Sequence, residues 1–370
     1  MANKFIMYLP GSRLTDFHKR SPWIMLPTSF LELGYSSVLI CGEYTLSDNF
    51  GLDVYKTFVR NKKILRSLVE PIFAFHKIFK TNPDIVIIAP FGSYLFSIIP
   101  LIAAYRVGSV ILRRRKTKFI LKTDWSVDFY GQKKITRLLA SFLLIASTYI
   151  FDRVTFETYC GVARAKELPM IKNSVLIRVP IGYPQNITTT PISDINRENI
   201  ILCVARITPM KGQDILLKAF ARIATKHASW SVRLVGPVDD QSYKKRLESI
   251  IAQEGLEQKV SFSGYVNEKD LYDEFSNAKI FCLPSIYLEN AGQVKFEATA
   301  AGLPVITTDV PCRQDAEEMG WLVCKAGDVE SLAEALDSLI LDPALRKKIV
   351  EYSMARIQTY RDIAYMYINL

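Results

Sequence analysis

The chain has 370 residues, of which 49% are hydrophobic and 23% charged, and it carries a formal net charge of +10 at pH 7. This composition excludes a disordered or low-complexity protein, and the length favours two domains over one. The charge is uneven: residues 1–186 hold 26 Lys and Arg against 12 Asp and Glu, whereas residues 187–370 hold 21 against 25. A basic half attracts polyanions, either nucleic acid or anionic lipid headgroups.

In chain order, residues 1–10 show no charged stretch followed by a long apolar core, so no signal peptide is expected. Apolar runs at 4–8, 37–41, 84–89, 118–121, 152–156 and 174–178 predict strands. Amphipathic stretches at 22–33, 61–80, 94–107 and 133–147 predict the helices between them. Ser21-Pro22 is a helix start, an N-cap followed by proline at the first helical position. Residues 94–112 are the most apolar stretch, interrupted by Pro100 and Arg106. They scarcely reach the ~20 residues a membrane span needs, and are read as a buried helix of an α/β core.

Residues 182–198 contain two prolines and three consecutive threonines without periodicity, and read as a linker. Alternation restarts at Ile200, with strands predicted at 200–204, 232–235, 260–262, 280–283, 305–307 and 321–323 and helices between them, as at 214–226 and 241–254. Alternating helices and apolar strands imply parallel sheets covered on both faces. The expected fold is α/β: two doubly wound, Rossmann-like parallel-sheet domains facing a cleft. The domains are set at 1–181 and 199–350, joined by a linker at 182–198, with a terminal helix at 351–370. Six cysteines form no Cys-x-x-Cys pair, and several lie in apolar runs, so they read as reduced thiols of a cytoplasmic protein.

Two motifs in the second half carry chemistry. The strand ending at Ala205 delivers Arg206 to a ligand edge, followed by Thr208-Pro209 and then Lys211-Gly212 before a helix. Arginine forks onto phosphate, and lysine adds a mobile charge. The second motif is "SIYLENAGQVKFEATAAGLPVITTDVP", where Glu289 and Glu297 stand eight apart around Asn290, Ala291 and Gly292. A helix starting near Gly292 presents amide groups at Gly292, Gln293 and Val294 to an anion. Eight residues of mostly helical path span about 12 Å, so two acceptor-only carboxylates can hold a sugar at one end and a ribose at the other.

Arg206 and Lys211, then "VSFSGYVNEKDLYDEFSNAKIFCLPS", then the glutamate pair followed by "ATAAGLPVITTDVP" resemble the glycosyltransferases of family 4, which have the GT-B fold. The resemblance is close over residues 200–345 and covers the first half in layout. It implies that Arg206 and Lys211 meet the donor diphosphate. It implies that Glu289 contacts the donor sugar and Glu297 the ribose. Gly292 and Gln293 fall where amides meet sugar and phosphate, and Tyr265 and Val266 lie against the base. Family members often read Glu-Gly-Phe-Gly where this chain has Glu289-Asn290-Ala291-Gly292, a departure that bears on the choice of sugar. In such proteins the last helices cross back onto the first domain.

In the first half, Pro10-Gly11-Ser12 matches one glycine of the family's pair near donor phosphate and acceptor. Asp124 is a candidate for acceptor contact or positioning, and equally a capping or turn residue. Arg113-Arg114-Arg115-Lys116 and the basic, apolar helix at 61–80 suit a membrane interface, or a half-buried helix with a solvated basic face. The expected reaction moves a sugar from a UDP- or GDP-sugar to a glycan or lipid-linked hydroxyl, with retention as the resemblance implies. It is expected in the cytoplasm, on or off the membrane face. Neither an Asp-x-Asp nor clustered histidines occur, so no metal is expected; Arg206 and Lys211 take its place, and no other cofactor is expected. No zinc-finger, helix-turn-helix or RNA-recognition signature supports nucleic acid as a partner, and no Gly-x-Gly-x-x-Gly supports nicotinamide chemistry. A nucleic-acid-binding protein that uses the basic first half, and a non-catalytic glycosyltransferase-like partner subunit, are the alternatives.

Overall fold

The computed structural model describes residues 3–57, 63–89, 94–123, 134–184, 196–287, 291–310 and 312–370. They fall into two compact units, Met1–Pro184 with Gln358–Leu370, and Gln185–Ile357.

The first unit holds seven strands: β1 (Lys4–Leu14), β2 (Ser36–Tyr44), β3 (Asp53–Lys56), β4 (Ile85–Ile88), β5 (Lys118–Thr123), β6 (Arg153–Phe156) and β7 (Leu176–Arg178). All are parallel, in the order β3-β2-β1-β4-β5-β6-β7. β4 is Ile-Val-Ile-Ile with every residue buried, the pattern of a strand covered on both faces. Helices α2 (Lys63–Thr81), α3 (Leu95–Ile111) and α4 (Lys134–Ile150) each carry the chain between strands. Phe75, Ile98, Ile102 and Leu144 from them join Ile6, Val86 and Phe119 of the sheet in one core cluster. Helix α1 (Pro22–Glu32) starts at the expected proline, although the Ser21 hydroxyl donates to the His18 carbonyl (2.7 Å) and caps no amide.

The structure corrects the reading of residues 94–112 as a buried helix. Only Leu95, Ile98, Ile102, Tyr105 and Ser109 of α3 are buried, on the side facing the sheet. The opposite side is apolar and exposed, because the helix is hydrophobic around its whole circumference.

The second unit holds β8 (Ile200–Val204), β9 (Ser231–Val235), β10 (Val260–Gly264), β11 (Ile280–Leu283), β12 (Val305–Thr308) and β13 (Leu322–Cys324). They are parallel in the order β10-β9-β8-β11-β12-β13, interleaved with helices from α6 (Gln213–Ile223) to α11 (Val329–Leu341). Arg197, which composition assigns to the linker, is buried here. Its guanidinium donates to the carbonyls of Phe275 (2.7 Å) and Ala278 (2.8 Å), so the unit begins before the first strand. Cys203, Cys282 and Cys324, with Cys41 of the first unit, are buried and in no disulfide, as expected for those four.

Helix α12 (Pro343–Met354) closes the second unit, and α13 (Tyr360–Asn369) belongs to the first. The return therefore starts at Gln358, later than the 351 read from the helical pattern, because α12 runs on through that position. α13 packs on α1 and buries Tyr360, Ile363, Ala364 and Tyr367. The Tyr367 hydroxyl lies 3.1 Å from Thr155 Oγ1 on β6, and the Tyr183 amide donates to the Gln358 carbonyl at 3.0 Å.

Candidate active site

The strand order of the second sheet reverses between β8 and β11, and ligands of such sheets bind beyond the strands' carboxyl ends at that switch point. Both motifs of the second half converge on it. Beyond β8 come exposed Arg206, the 3-10 turn Pro209–Lys211 and Gly212. Beyond β11 come buried Ser285, half-buried Ile286 and exposed Tyr287.

The two loops are stitched together. The Ile286 amide donates to the Met210 carbonyl at 2.9 Å. Gly212 takes a left-handed backbone (φ +67°), and a Cβ there would stand inside contact of the Pro284 carbonyl and 3.2 Å from Ile286 Cγ1. This glycine is needed on both counts, conformation and space. Gln213, fully buried at the start of α6, donates through Nε2 to the Arg206 carbonyl at 2.9 Å. Behind the turn, buried Asp214 accepts from the Tyr243 hydroxyl (2.7 Å) and from Arg246 (2.6 Å), anchoring α6 to α7 (Gln241–Gln253). Burial pushes the Tyr243 phenol up, so it remains a donor.

The Arg206 side chain reaches Asp239, beyond β9, at 2.5 Å. Both groups are substantially exposed, so water screens the pair and it contributes about 0–1 kcal/mol. Asp239 therefore competes with any anion for Arg206. If that anion is a nucleotide diphosphate, Asp239→Asn is expected to tighten its binding two- to fivefold, from the ~0.5–1 kcal/mol of a surface ion pair. Titration calorimetry with UDP and GDP measures this, and weaker binding would show instead that Asp239 positions the arginine.

Helix α9 (Gln293–Ala300) follows β11, and Gly292 is its N-cap with φ +72°. Ala291, Gln293 and Val294 are half-buried around the helix start. Glu297 is buried one turn further in, and its Oε1 accepts from Gln293 Nε2 at 2.8 Å. That bond fixes the carboxylate's rotamer. Glu289 and Asn290 lie outside the described residues. Tyr265 and Val266 follow β10, the first exposed and the second half-buried. The Gly236 amide donates to the Gly264 carbonyl (2.7 Å) and the Ala205 amide to the Val235 carbonyl (2.9 Å), so the ends of β8, β9 and β10 are level.

In the first unit, Gly11 and Ser12 lie on β1, next to β4, where that sheet's order also reverses. The Gly11 amide donates to Glu70 Oε1 at 2.8 Å, and the space beside its Cα is filled by the Tyr94 ring. Ser12 Oγ donates to the Leu9 carbonyl at 2.7 Å. Asp124 lies outside the described residues. Glu70 was not singled out by the sequence. It is fully buried and also accepts from Thr57 Oγ1 (2.7 Å), Arg66 Nε (3.2 Å) and the Tyr94 hydroxyl (3.3 Å). Burial, and then the Glu70 charge, push the Tyr94 phenol up to about 12 and the Cys41 thiol up to about 12. A signal did exist: Ser67, Glu70 and Ala74 share helical spacing, which puts a carboxylate on the inward face. Asp239 and Gln213 left no such signal, since their partners are set by the tertiary fold.

Two doubly wound units, with cations and a glycine-started helix at one switch point, define a protein of GT-B fold. Residues 188–356 of this chain match the sequence model of the family described as glycosyl transferases group 1. The chain is 31% identical over 220 residues to mannosylfructose-phosphate synthase of Agrobacterium fabrum, covering 53% of this chain and 45% of the relative. It is 29% identical over 166 residues to a GDP-mannose-dependent monoacylated alpha-(1-6)-phosphatidylinositol monomannoside mannosyltransferase of Corynebacterium glutamicum, covering 43% and 42%. The matches thus span less than half of either relative. In fold the chain is similar to Anabaena HepE, solved in complex with UDP, with TM-score 0.75, 15% identity and coverage of 99% and 98%.

Proposed function

We propose that this chain moves a sugar from a nucleotide diphosphate sugar to a hydroxyl acceptor, retaining the anomeric configuration. The observation that carries the reading is the stitched pair of loops at the second switch point. It holds the loop that carries Arg206 and Lys211 against the loop that follows β11, beyond the strands' carboxyl ends. As the sugar's bond to the diphosphate breaks, negative charge grows on the leaving group. Arg206, Lys211 and the helix amides meet that charge as it develops, and such stabilisation lowers the barrier. Gly292 and Ala291 leave backbone room for phosphate and sugar. Glu297 holds the ribose hydroxyls, and Glu289, with Asn290 beside it, orients the sugar. Tyr265 and Val266 flank the base.

Two names among the similar proteins support a nucleotide donor: the Anabaena structure holds UDP, and the Corynebacterium enzyme is GDP-mannose-dependent. The acceptor is proposed as a glycan or lipid-linked intermediate, with Asp124 on the acceptor side and Gly11 and Ser12 of β1 near donor phosphate and acceptor. Thermal unfolding with UDP-, GDP- and ADP-sugars tests the donor. A donor at a hundred times its Kd stabilises the unit that binds it by about 2.7 kcal/mol, a rise of several degrees. If none of the three raises the transition, the donor assignment fails.

A further inference from the structure

On the first unit, α3 lies between α2 and α4, and all three cover the same side of the sheet. Their outer faces are apolar. Ile72 on α2, Val107, Val110 and Ile111 on α3, and Leu138 and Phe142 on α4 are all exposed, Val110 at 79% and Leu138 at 74%. Thirteen of the eighteen large apolar side chains exposed among the described residues fall between Leu68 and Met170. Scattered exposure needs no explanation, but a face shared by three adjacent helices marks a binding surface.

Charge decides what it binds. The three helices carry one carboxylate, Glu70, and it is buried. Arg113 and Arg115 stand exposed directly after Ile111 and Leu112, and Lys116 follows, 4.0 Å from Asp152. Arg114 is drawn in over the Phe79 ring, which leaves its neighbours facing out. Apolar side chains with cations beside them and no exposed acid match an interface of acyl chains below and anionic headgroups above. No helix among the described residues is long and apolar enough to cross a membrane, so the contact is a surface one.

We propose that the outer face of α2, α3 and α4, with Arg113 and Arg115 at its edge, docks on an anionic lipid bilayer. The inference does not rest on the transferase reading, because docking needs no donor or acceptor. The experiment is flotation of the full chain with vesicles of phosphatidylcholine, alone or mixed with phosphatidylglycerol. The chain is expected to float with the mixed vesicles, weakly with the neutral ones, and less as salt rises and screens the headgroups. Arg113→Ser with Arg115→Ser is expected to weaken binding to mixed vesicles about thirtyfold, at ~1 kcal/mol per cation. Val110→Ser with Ile111→Ser, which removes apolar contact and leaves the charges, is expected to weaken it tenfold or more. Unchanged circular dichroism shows that both variants fold. Equal flotation with neutral and mixed vesicles, none with either, or binding that neither variant alters would overturn the proposal. So would sedimentation velocity showing a lipid-free dimer that the Val110 and Ile111 variant dissociates without changing flotation, since the face would then hold a second copy.

Discussion

Replacing Lys211 by alanine is expected to lower kcat/KM for sugar transfer roughly a hundred- to a thousandfold, the usual effect of removing one group that stabilises transition-state charge. The loss should appear in kcat more than in donor KM. The diphosphate gains charge only as the bond to the sugar breaks, so Lys211 counts for more then than in the ground state. Lys211 is half-buried at the end of a 3-10 turn, and the next residue, Gly212, carries the close packing. The substitution should therefore leave folding intact. Steady-state kinetics with the donor found by thermal shift make the measurement, and a near-normal rate removes Lys211 from the reaction. Glu289→Ala should fall as far if that carboxylate orients the sugar.

Gly212→Ala should act on the fold itself. A left-handed backbone costs a residue with a Cβ about 1–2 kcal/mol, and forcing a methyl group against packed neighbours costs about 1–3 more. Together these predict a loss of about 2–5 kcal/mol in the second unit. The new methyl would press on the Pro284 carbonyl and Ile286, so it would part the loops that follow β8 and β11. Trp230 and Trp321 report on this unit through fluorescence during urea unfolding. Donor affinity should fall with stability. A variant as stable as the parent, with unchanged affinity, would show that the two loops do not depend on each other.

Much of the architecture was legible because parallel strands buried on both faces read as uninterrupted apolar runs. Ile200–Val204 and Ile280–Leu283 fall where the sequence put them. β3, Asp-Val-Tyr-Lys, escaped because an edge strand need not be buried, and its residues are half-buried or exposed. The far end of β1 escaped too: Pro10-Gly11 reads as a stop, yet after an irregularity Arg13 and Leu14 pair with Glu43 and Tyr44. The places of Arg206 and Lys211 after β8, and the start of α9 at Gly292, were readable because strand-turn-helix order is local. The bonds from Arg206 to Asp239 and from Gly11 to Glu70 span 33 and 59 positions, and only the folded sheet brings those partners together. The apolar character of residues 94–112 was plain, but which side of the helix stayed uncovered depended on its neighbours.

The placement of α13 bears on synthesis. A ribosome releases Tyr360, Ile363 and Tyr367 only after the whole second unit has emerged, yet these side chains fill the core of the first. The earliest-made half must wait, incomplete, while the later half matures, a reversal of the usual N-terminal-first sequence. During that interval the surface of α1 that α13 will cover stays open, and a nascent chain stalled before residue 358 would offer it to chaperones.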